Sequence, residues 1–285
     1  DVISDMSAKG VIEDVTGAAK AKEWSEGSVE MIVRDTSAGL LLKNMFGSES
    51  TAVTGGETII YDHTFTVGQS AQHNSLSFTK KDDQQTFGYT NGMLTSMEIT
   101  AEPDDFVFMT VGFKAKPGST QTATASYTSD TYTFTRSMCT LVRATTLAGL
   151  SSGTAVTFTR FKMTLTPNVV DDEVLGSASP NDFLNTSWHC EFDFDLKQED
   201  VTFHDFVDNQ TTTYYRVQFQ NPTTIGTAAK PTLYFDFADV KHESWERKDE
   251  LDNIVSQTIK CVPKYNSTDG LMVRAVLRNA RSTDY

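Results

Sequence analysis

The stretch ETIIYDHTFTVGQS, residues 57–70, alternates between two kinds of side chain. Its odd positions from Ile59 to Val67 are mostly large and apolar or aromatic, and the positions between them are mostly polar, including Asp62. Successive side chains of a β-strand point to opposite faces of the sheet, whereas those of a helix recur every 3.6 residues. This stretch therefore predicts a strand with one buried face.

Similar alternation recurs along the chain, and helical periodicity is confined to short segments. Turn-forming pairs such as Asn91-Gly92 separate the strands. Two short helices are predicted, one over Ala38–Phe46 with a stop at Gly47 and one over 200–209. The charged segment 244–253 is either a further helix or an exposed loop. The chain is therefore predicted to be mainly β. The other predicted strands lie at 76–78, 97–100, 106–113, 156–165, 214–219, 233–237 and 271–277.

The order of these elements is the same before and after a Thr/Ser/Ala-rich stretch at 120–131, which we interpret as a linker or exposed loop. Segments that start at 75, 96 and 106 have counterparts that start at 232, 257 and 271, with offsets of 157, 161 and 165. The pattern predicts a duplication. One domain would span 1–120 and a second 121–285, with an insertion or arm near 121–153.

The charge balance excludes one broad class of function. The chain has 285 residues, and 24 Lys and Arg against 38 Asp and Glu give a formal charge of −14. A protein that grips nucleic acid by its phosphates needs clustered cations, so this class is disfavoured. The sequence contains no apolar run of 18 residues and no secretory pattern at its start, so we expect no membrane contact. Cys139, Cys190 and Cys261 are predicted to be reduced, mostly buried thiols.

Catalytic and metal motifs are weak in this sequence. GLSSG at 149–153 matches the G-x-S-x-G nucleophile pattern around Ser151, but the residues after it alternate as in a strand, whereas the pattern requires a helix. We interpret it as a Gly/Ser turn. The five histidines show no metal-ligand spacing, and no glycine-rich phosphate loop is present. We therefore predict no catalytic residue, no metal site and no cofactor.

Acidic residues alternate with apolar ones in EFDFDL, residues 191–196. On a strand, Glu191, Asp193 and Asp195 would share one face, with successive carboxylates about 6.6 Å apart at ~3.3 Å per residue. That spacing also suits a glycosidase pair or a cation site. No tryptophan-lined groove or separate acid loop accompanies it, so we interpret the run as a solvated acidic wall. Asp236 lies on another predicted strand.

A shared pattern of hydrophobic and glycine positions runs through six segments: GLLLKNMFG (39–47), YDHTFT (61–66), NSLSFTK (74–80), GYTNGMLTSMEI (88–99), QTIK (257–260) and LMVRAVLRN (271–279). Together these segments resemble the tail tube proteins of long-tailed, siphovirus-like phages. The resemblance covers about two thirds of the chain and includes no catalytic signature.

This resemblance implies a fold and an assembly. Each of the two tandem domains would be a β-sandwich or split barrel with a short flanking helix, and inner sheets would join neighbouring subunits into a β-barrel tube. Single-domain members form hexameric rings, so a duplicated chain would form trimeric, pseudo-hexameric rings that stack. The protein would be a structural, non-enzymatic part of the virion tail, assembled in the host cytoplasm. Expected partners are further copies of the chain, the tape-measure protein, and tail-terminator and baseplate proteins.

DNA would pass through such a tube without specific binding, because acidic side chains in the lumen repel phosphates. The predicted lumen-lining acids are Asp62, Glu98, Asp193, Asp195 and Asp236. The long loops expected at 46–57 and 66–74 are candidates to bridge successive rings.

Three alternatives stay open at this point. A head decoration or tail-terminator protein would coat or cap without polymerising end to end. A carbohydrate-binding β-sandwich or adhesin would need an aromatic groove, and Trp24, Trp188 and Trp245 are far apart in sequence. A hydrolase would use Ser151.

Overall fold

A computed structural model describes residues 2–5, 17–71, 74–122, 132–249 and 254–285. These residues form a mainly β structure, as the alternating patterns predicted. Its helices are α1 (Ala38–Phe46) and α2 (Thr202–Asp208), with 3-10 turns at Arg136–Met138 and Ala148–Ser152. Its strands are β1 (Val2–Asp5), β2 (Gly17–Lys20), β3 (Ser25–Ile32), β4 (Gly47–Val53), β5 (Tyr61–Val67), β6 (Leu76–Lys81), β7 (Thr86–Ala101), β8 (Val107–Ala115), β9 (Ser119–Thr120), β10 (Cys139–Ala144), β11 (Thr154–Val156), β12 (Arg160–Asp172), β13 (Asp182–Lys197), β14 (Thr212–Gln220), β15 (Thr232–Lys248), β16 (Ser256–Val262) and β17 (Val273–Asn279).

The large sheet divides at strand β15, because the two halves of this strand pair with different partner strands. Residues 232–237 pair with β17, and residues 241–248 pair with β16. Asp239, with a φ of 43°, lies between the two halves. The large antiparallel sheet therefore divides at β15 into two parts that share this strand. Wing A has the order β11-β10-β14-β15-β17-β5-β4, and wing B has the order β15-β16-β13-β12-β7-β8-β3.

The two wings face each other across one hydrophobic core. Phe192 of wing B stacks on Phe237 of wing A with ring centroids 4.4 Å apart, and it meets Tyr215 of wing A edge-on at 5.6 Å. Helix α1 packs on β5 of wing A and β7 of wing B, and α2 places Phe203 against Phe194. The core is thus a layer between two sheet surfaces, and the helices lie beside it.

The two halves of the sequence share this core. Strand β7 pairs with β12, and β5 pairs with β17, so strands from before and after residue 120 are hydrogen-bonded to each other. The sheet is not closed: in the described ranges, β3, β4 and β11 each have one partner strand. The tandem division into 1–120 and 121–285 stays a prediction, as does closure into a barrel.

The limits of α1 agree with the local sequence signals. The helix spans Ala38–Phe46, and Gly47, with a φ of 78°, donates its N–H to the Lys43 carbonyl. This left-handed conformation is easily adopted by glycine, which has no Cβ. At the start of α2, the Asp200 carboxylate accepts a hydrogen bond from the Thr202 N–H at 2.9 Å, which lowers the pKa of Asp200.

Two local predictions were wrong. Residues 244–248, expected to be helix or loop, extend β15, because Trp245 packs inward while Ser244 and Glu246 pair with β16 on the outward side. The rest of that expectation, at 250–253, lies outside the described residues. The loop expected at 46–57 contains β4, since its backbone pairs with β5 from Gly47 to Val53. Most of the 120–131 linker, residues 123–131, also lies outside the described residues.

Candidate lumen-lining surfaces

The five acids predicted to line a lumen lie on two surfaces. Asp62 and Asp236 project from the outer face of wing A, and the other three project from the outer face of wing B. The inner faces of the wings pack against each other, so the outer faces point in opposite directions. The structure therefore brings together Glu98, Asp193 and Asp195, and separates them from Asp62 and Asp236.

On wing A, Asp236 lies fully buried between two arginines. Its Oδ1 accepts from Arg216 Nε at 2.6 Å, and its Oδ2 accepts from Arg216 Nη2 at 2.9 Å and Arg274 Nε at 2.9 Å. The three residues stand directly opposite one another on β14, β15 and β17. Burial alone would lower the pKa of Arg216, but hydrogen bonds to Asp236 raise it above its ordinary value.

Asp62 has a similar cross-strand partner. Arg278 on β17 stands opposite it and donates Nε to Oδ1 at 2.6 Å and Nη2 to Oδ2 at 3.1 Å. This hydrogen bonding raises the pKa of Arg278 despite its partial burial. Around these two acids, wing A presents three arginines, Arg216, Arg274 and Arg278, so cations outnumber carboxylates there.

On wing B, carboxylates alternate with threonines in one row across five strands. Directly opposed residues on β3, β8, β7, β12 and β13 are Glu30, Thr110, Glu98, Thr164 and Glu191. Neighbouring strands are ~4.8 Å apart, so successive glutamates of the row stand about 10 Å apart. The structure adds Glu30, which the sequence did not single out as an acid of this surface, because only strand register shows that it shares the row.

The neighbouring acids Asp193 and Asp195 are bridged by one arginine. Arg160 contacts the Asp193 carboxylate and donates Nε to Asp195 Oδ2 at 3.1 Å, while Thr258 donates to Asp195 Oδ1 at 2.7 Å. Burial raises the pKa of Asp193. Burial also acts to raise the pKa of Asp195, but hydrogen bonds from Thr258 and Arg160 lower it overall. Both carboxylates are thus engaged by a fixed cation.

The residues of the alternative hypotheses have local partners of their own. Ser151 lies in a 3-10 turn, donates its Oγ hydrogen to the Ala148 carbonyl at 3.1 Å, and is followed by β11. Trp24 lies under Lys22 and Lys114, Trp188 packs on Phe46, and Trp245 donates to Gln257 at 2.5 Å. The three tryptophans therefore have separate local partners and no shared groove.

The thiols are unpaired in the structure, and Cys190 and Cys261 are buried. Burial raises the pKa of Cys139 to about 12. Within the ranges given above, no three His, Cys, Asp or Glu side chains are grouped so as to hold a metal ion. The helices of the described residues include none long and apolar enough to cross a bilayer.

Comparison with known proteins gave one family match. A sequence model of the family described as phage tail tube protein matches residues 11–246, which is most of the chain. No curated protein matches the sequence.

Proposed function

Because this chain belongs to the phage tail tube protein family, we propose that its copies form rings that stack into the hollow tube through which DNA leaves the virion. The family implies a structural protein of the virion tail and a tube of identical subunits. The proposal adds three steps to this. The copies form rings, these rings are trimeric with pseudo-sixfold symmetry, and DNA passes through the tube.

The structural observation that supports assembly is the open sheet. Strands β3, β4 and β11 are each paired on one side within the described chain, and β3 and β4 are largely exposed. Unpaired N–H and C=O groups at an edge favour pairing with another strand. Pairing between copies satisfies these groups, and closure of the combined sheet into a barrel removes the edges altogether.

Wing B is the better candidate for the lumen. Its outer face carries the row of three glutamates and the pair Asp193 and Asp195. Four cations pair with these five acids, namely Arg160, Lys162, Lys248 and Lys260, so carboxylates stay in slight excess there. On wing A, in contrast, three arginines surround two acids. DNA phosphates are repelled by a surface with excess carboxylates and attracted by exposed arginines. We propose that the outer face of wing B lines the lumen, with Glu98, Asp193 and Asp195 and the row partners Glu30 and Glu191 on it. Asp62 and Asp236 instead stabilise wing A through their ion pairs.

The assembly proposal is tested by negative-stain electron microscopy of the purified full chain. We expect rings and stacked tubes of uniform width, with threefold or pseudo-sixfold symmetry in end views. Monomers only, or closed rings that never stack at any concentration, would contradict a tube subunit. The second outcome would favour the head decoration or tail-terminator alternative.

The lumen proposal is tested by charge reversal at Glu30, Glu98 and Glu191 together. With lysine at these positions, DNA ejection from reconstituted virions is expected to slow roughly tenfold or more, most strongly at low salt, because the lumen then attracts phosphates. A matched triple reversal at the exposed acids Asp104, Asp205 and Asp208 should leave ejection unchanged. Intact tubes with unchanged DNA ejection in the first variant would contradict the assignment of wing B to the lumen.

The remaining partners follow from the family. We propose that the tape-measure protein occupies the lumen during assembly, and that tail-terminator and baseplate proteins bind the two tube ends. Assembly would take place in the host cytoplasm.

A further inference from the structure

Wing B contains two three-strand units with the same arrangement, namely unit 1 (β3, β8 and β7) and unit 2 (β13, β16 and β15). In each unit the first strand is followed along the chain by a short helix, and the middle strand pairs with both of the others. The third strand of each unit has a register shift, between Leu94 and Ser96 in β7 and between His242 and Ser244 in β15. The two units therefore correspond strand by strand.

The correspondence extends to single residues on the outer face. Each unit has a row of an acid, a threonine and a glutamate that stand directly opposite one another, and the rows are Glu30, Thr110 and Glu98 in unit 1 and Asp195, Thr258 and Glu246 in unit 2. In both rows the glutamate follows the serine at the register shift by two residues. Each position on unit 1 thus has a counterpart on unit 2.

The two units differ in what lies beside the third strand. In unit 1, β12 pairs with β7, so that Thr164 stands between Glu98 and Glu191 of β13. In unit 2, residues 244–248 pair with β16 alone among the described strands. The edge that β12 occupies on unit 1 is therefore open on unit 2, and the unpaired N–H and C=O groups of such an edge favour the addition of a strand.

We propose that the open edge of β15 meets unit 1 of the neighbouring copy in the ring, in the geometry by which β7 meets unit 2 within one chain. This inference rests on the proposed function, because it requires the wing B sheets of successive copies to close into a ring. The other lateral edge of wing B is β3, which is largely exposed and pairs only with β8 in the described chain. Closure of identical sheets therefore turns β15 of one copy toward β3 of the next.

Strand direction determines how many strands separate these two edges. All six pairings that lead from β15 to β3 are antiparallel, so β15 and β3 run in the same direction. Antiparallel pairing throughout the ring then requires one further strand between β15 of one copy and β3 of the next. Within the chain this place is held by β12, which directly precedes β13. At the junction, the chain that precedes β3 would supply it.

The correspondence also says which residues meet at the junction. Glu26 of β3 takes the place of Glu191 of β13, because each lies four residues before the acid of its row. Two strand spacings of ~4.8 Å separate Glu98 from Glu191. The same separation, about 10 Å, is expected between Glu246 of one copy and Glu26 of the next, both of which are exposed. The carboxylates of the lumen face would then continue from copy to copy.

Cross-linking of assembled rings tests this junction. With Glu26→Cys and Glu246→Cys in one chain, a bismaleimide of about 10 Å reach should join neighbouring copies. A matched pair, Ser50→Cys with Glu246→Cys, should give roughly one tenth as much product or less, because β4 lies at the far edge of wing A. Glu98→Cys with Glu191→Cys controls for the reach, since it should link within one chain. Each single variant controls for the three native thiols.

A shift along the strands tests their direction. Because β15 and β3 run the same way, Lys248→Cys should link best to Ser28→Cys, each two residues beyond the first pair. A best match that moves toward the start of β3 would contradict the shared direction. Oxidation without a linker should give no disulfide between positions 26 and 246, since a strand lies between them. A disulfide there would overturn the geometry taken from the β7 junction.

The outcomes separate the junction from the tube function. Circular dichroism and thermal unfolding of each variant establish that the fold is retained. Rings that link through positions 50 and 246, or that lack the 26–246 link while the 98–191 control reacts, would overturn the junction and leave the tube function standing. Absence of rings and tubes in the unsubstituted protein would overturn the tube function, and the junction would fall with it.

Discussion

Asp236→Asn is expected to lower the free energy of unfolding by about 3 kcal/mol, because it leaves two arginines without their shared carboxylate. Asp236 is fully buried, while the side chains of Arg216 and Arg274 are 19% and 30% exposed. This partial exposure lets water stabilise the freed guanidinium groups, so the effect should stay at the low end of the range for buried ion pairs. Urea unfolding of the unassembled protein measures it.

The control for this prediction is an exposed pair on the other wing. Glu98 accepts from Lys162 Nζ at 2.7 Å, with both side chains more than one third exposed. Glu98→Gln should cost less than about 1 kcal/mol, as exposed ion pairs generally do. Equal effects of the two substitutions would mean that the Asp236 cluster contributes no more than a surface pair. Apolar replacement of Asp236, Arg216 and Arg274 together should recover much of the loss.

Phe192→Ala should destabilise the protein by about 3–5 kcal/mol, since it removes a fully enclosed aromatic ring from a packed core. Phe192 stacks on Phe237 at 4.4 Å and contacts Tyr215 and Phe161 at 5.6 and 6.0 Å. These neighbours come from both wings, so the cavity would lie at the place where the wings meet. Denaturant unfolding of the variant gives the change in free energy.

A smaller truncation and a surface control complete this prediction. Phe192→Leu keeps most of the apolar volume and should cost roughly half as much as Phe192→Ala. Ile59→Ala, at an exposed position, should change stability by no more than about 0.5 kcal/mol. A small effect of Phe192→Ala would show that the wings hold together without this contact. Hydrogen exchange should also quicken in both β13 and β15 of the variant, because they share the cavity.

Features with local causes were predicted well. The limits of α1 agree because the apolar segment and Gly47 act within a few residues of each other. The inward and outward faces of β5 and β13 also follow from alternation, with Phe65 and Phe194 buried and Asp62 and Asp195 outward. The charged segment at 244–248 was misjudged, since a short run with one inward residue, Trp245, fits several structures until its partner strand is known.

The candidate site shows what a single sequence leaves undetermined. Alternation places Asp193 and Glu98 on outward faces, but it does not say which cations stand opposite them. Strand register places Arg160, Lys162 and Arg216 next to their acids. This register depends on pairing between residues that are far apart in the chain. The row that joins Glu30 to Glu98 and Glu191 has the same origin.

By itself, the sequence determined the β class, the short helices and the facing of most strands, because each depends on contacts within a few residues. Only the tertiary structure decided that the five acids divide between two surfaces. The reason is the path of β15, which changes partners at Asp239 and turns wing A back over wing B.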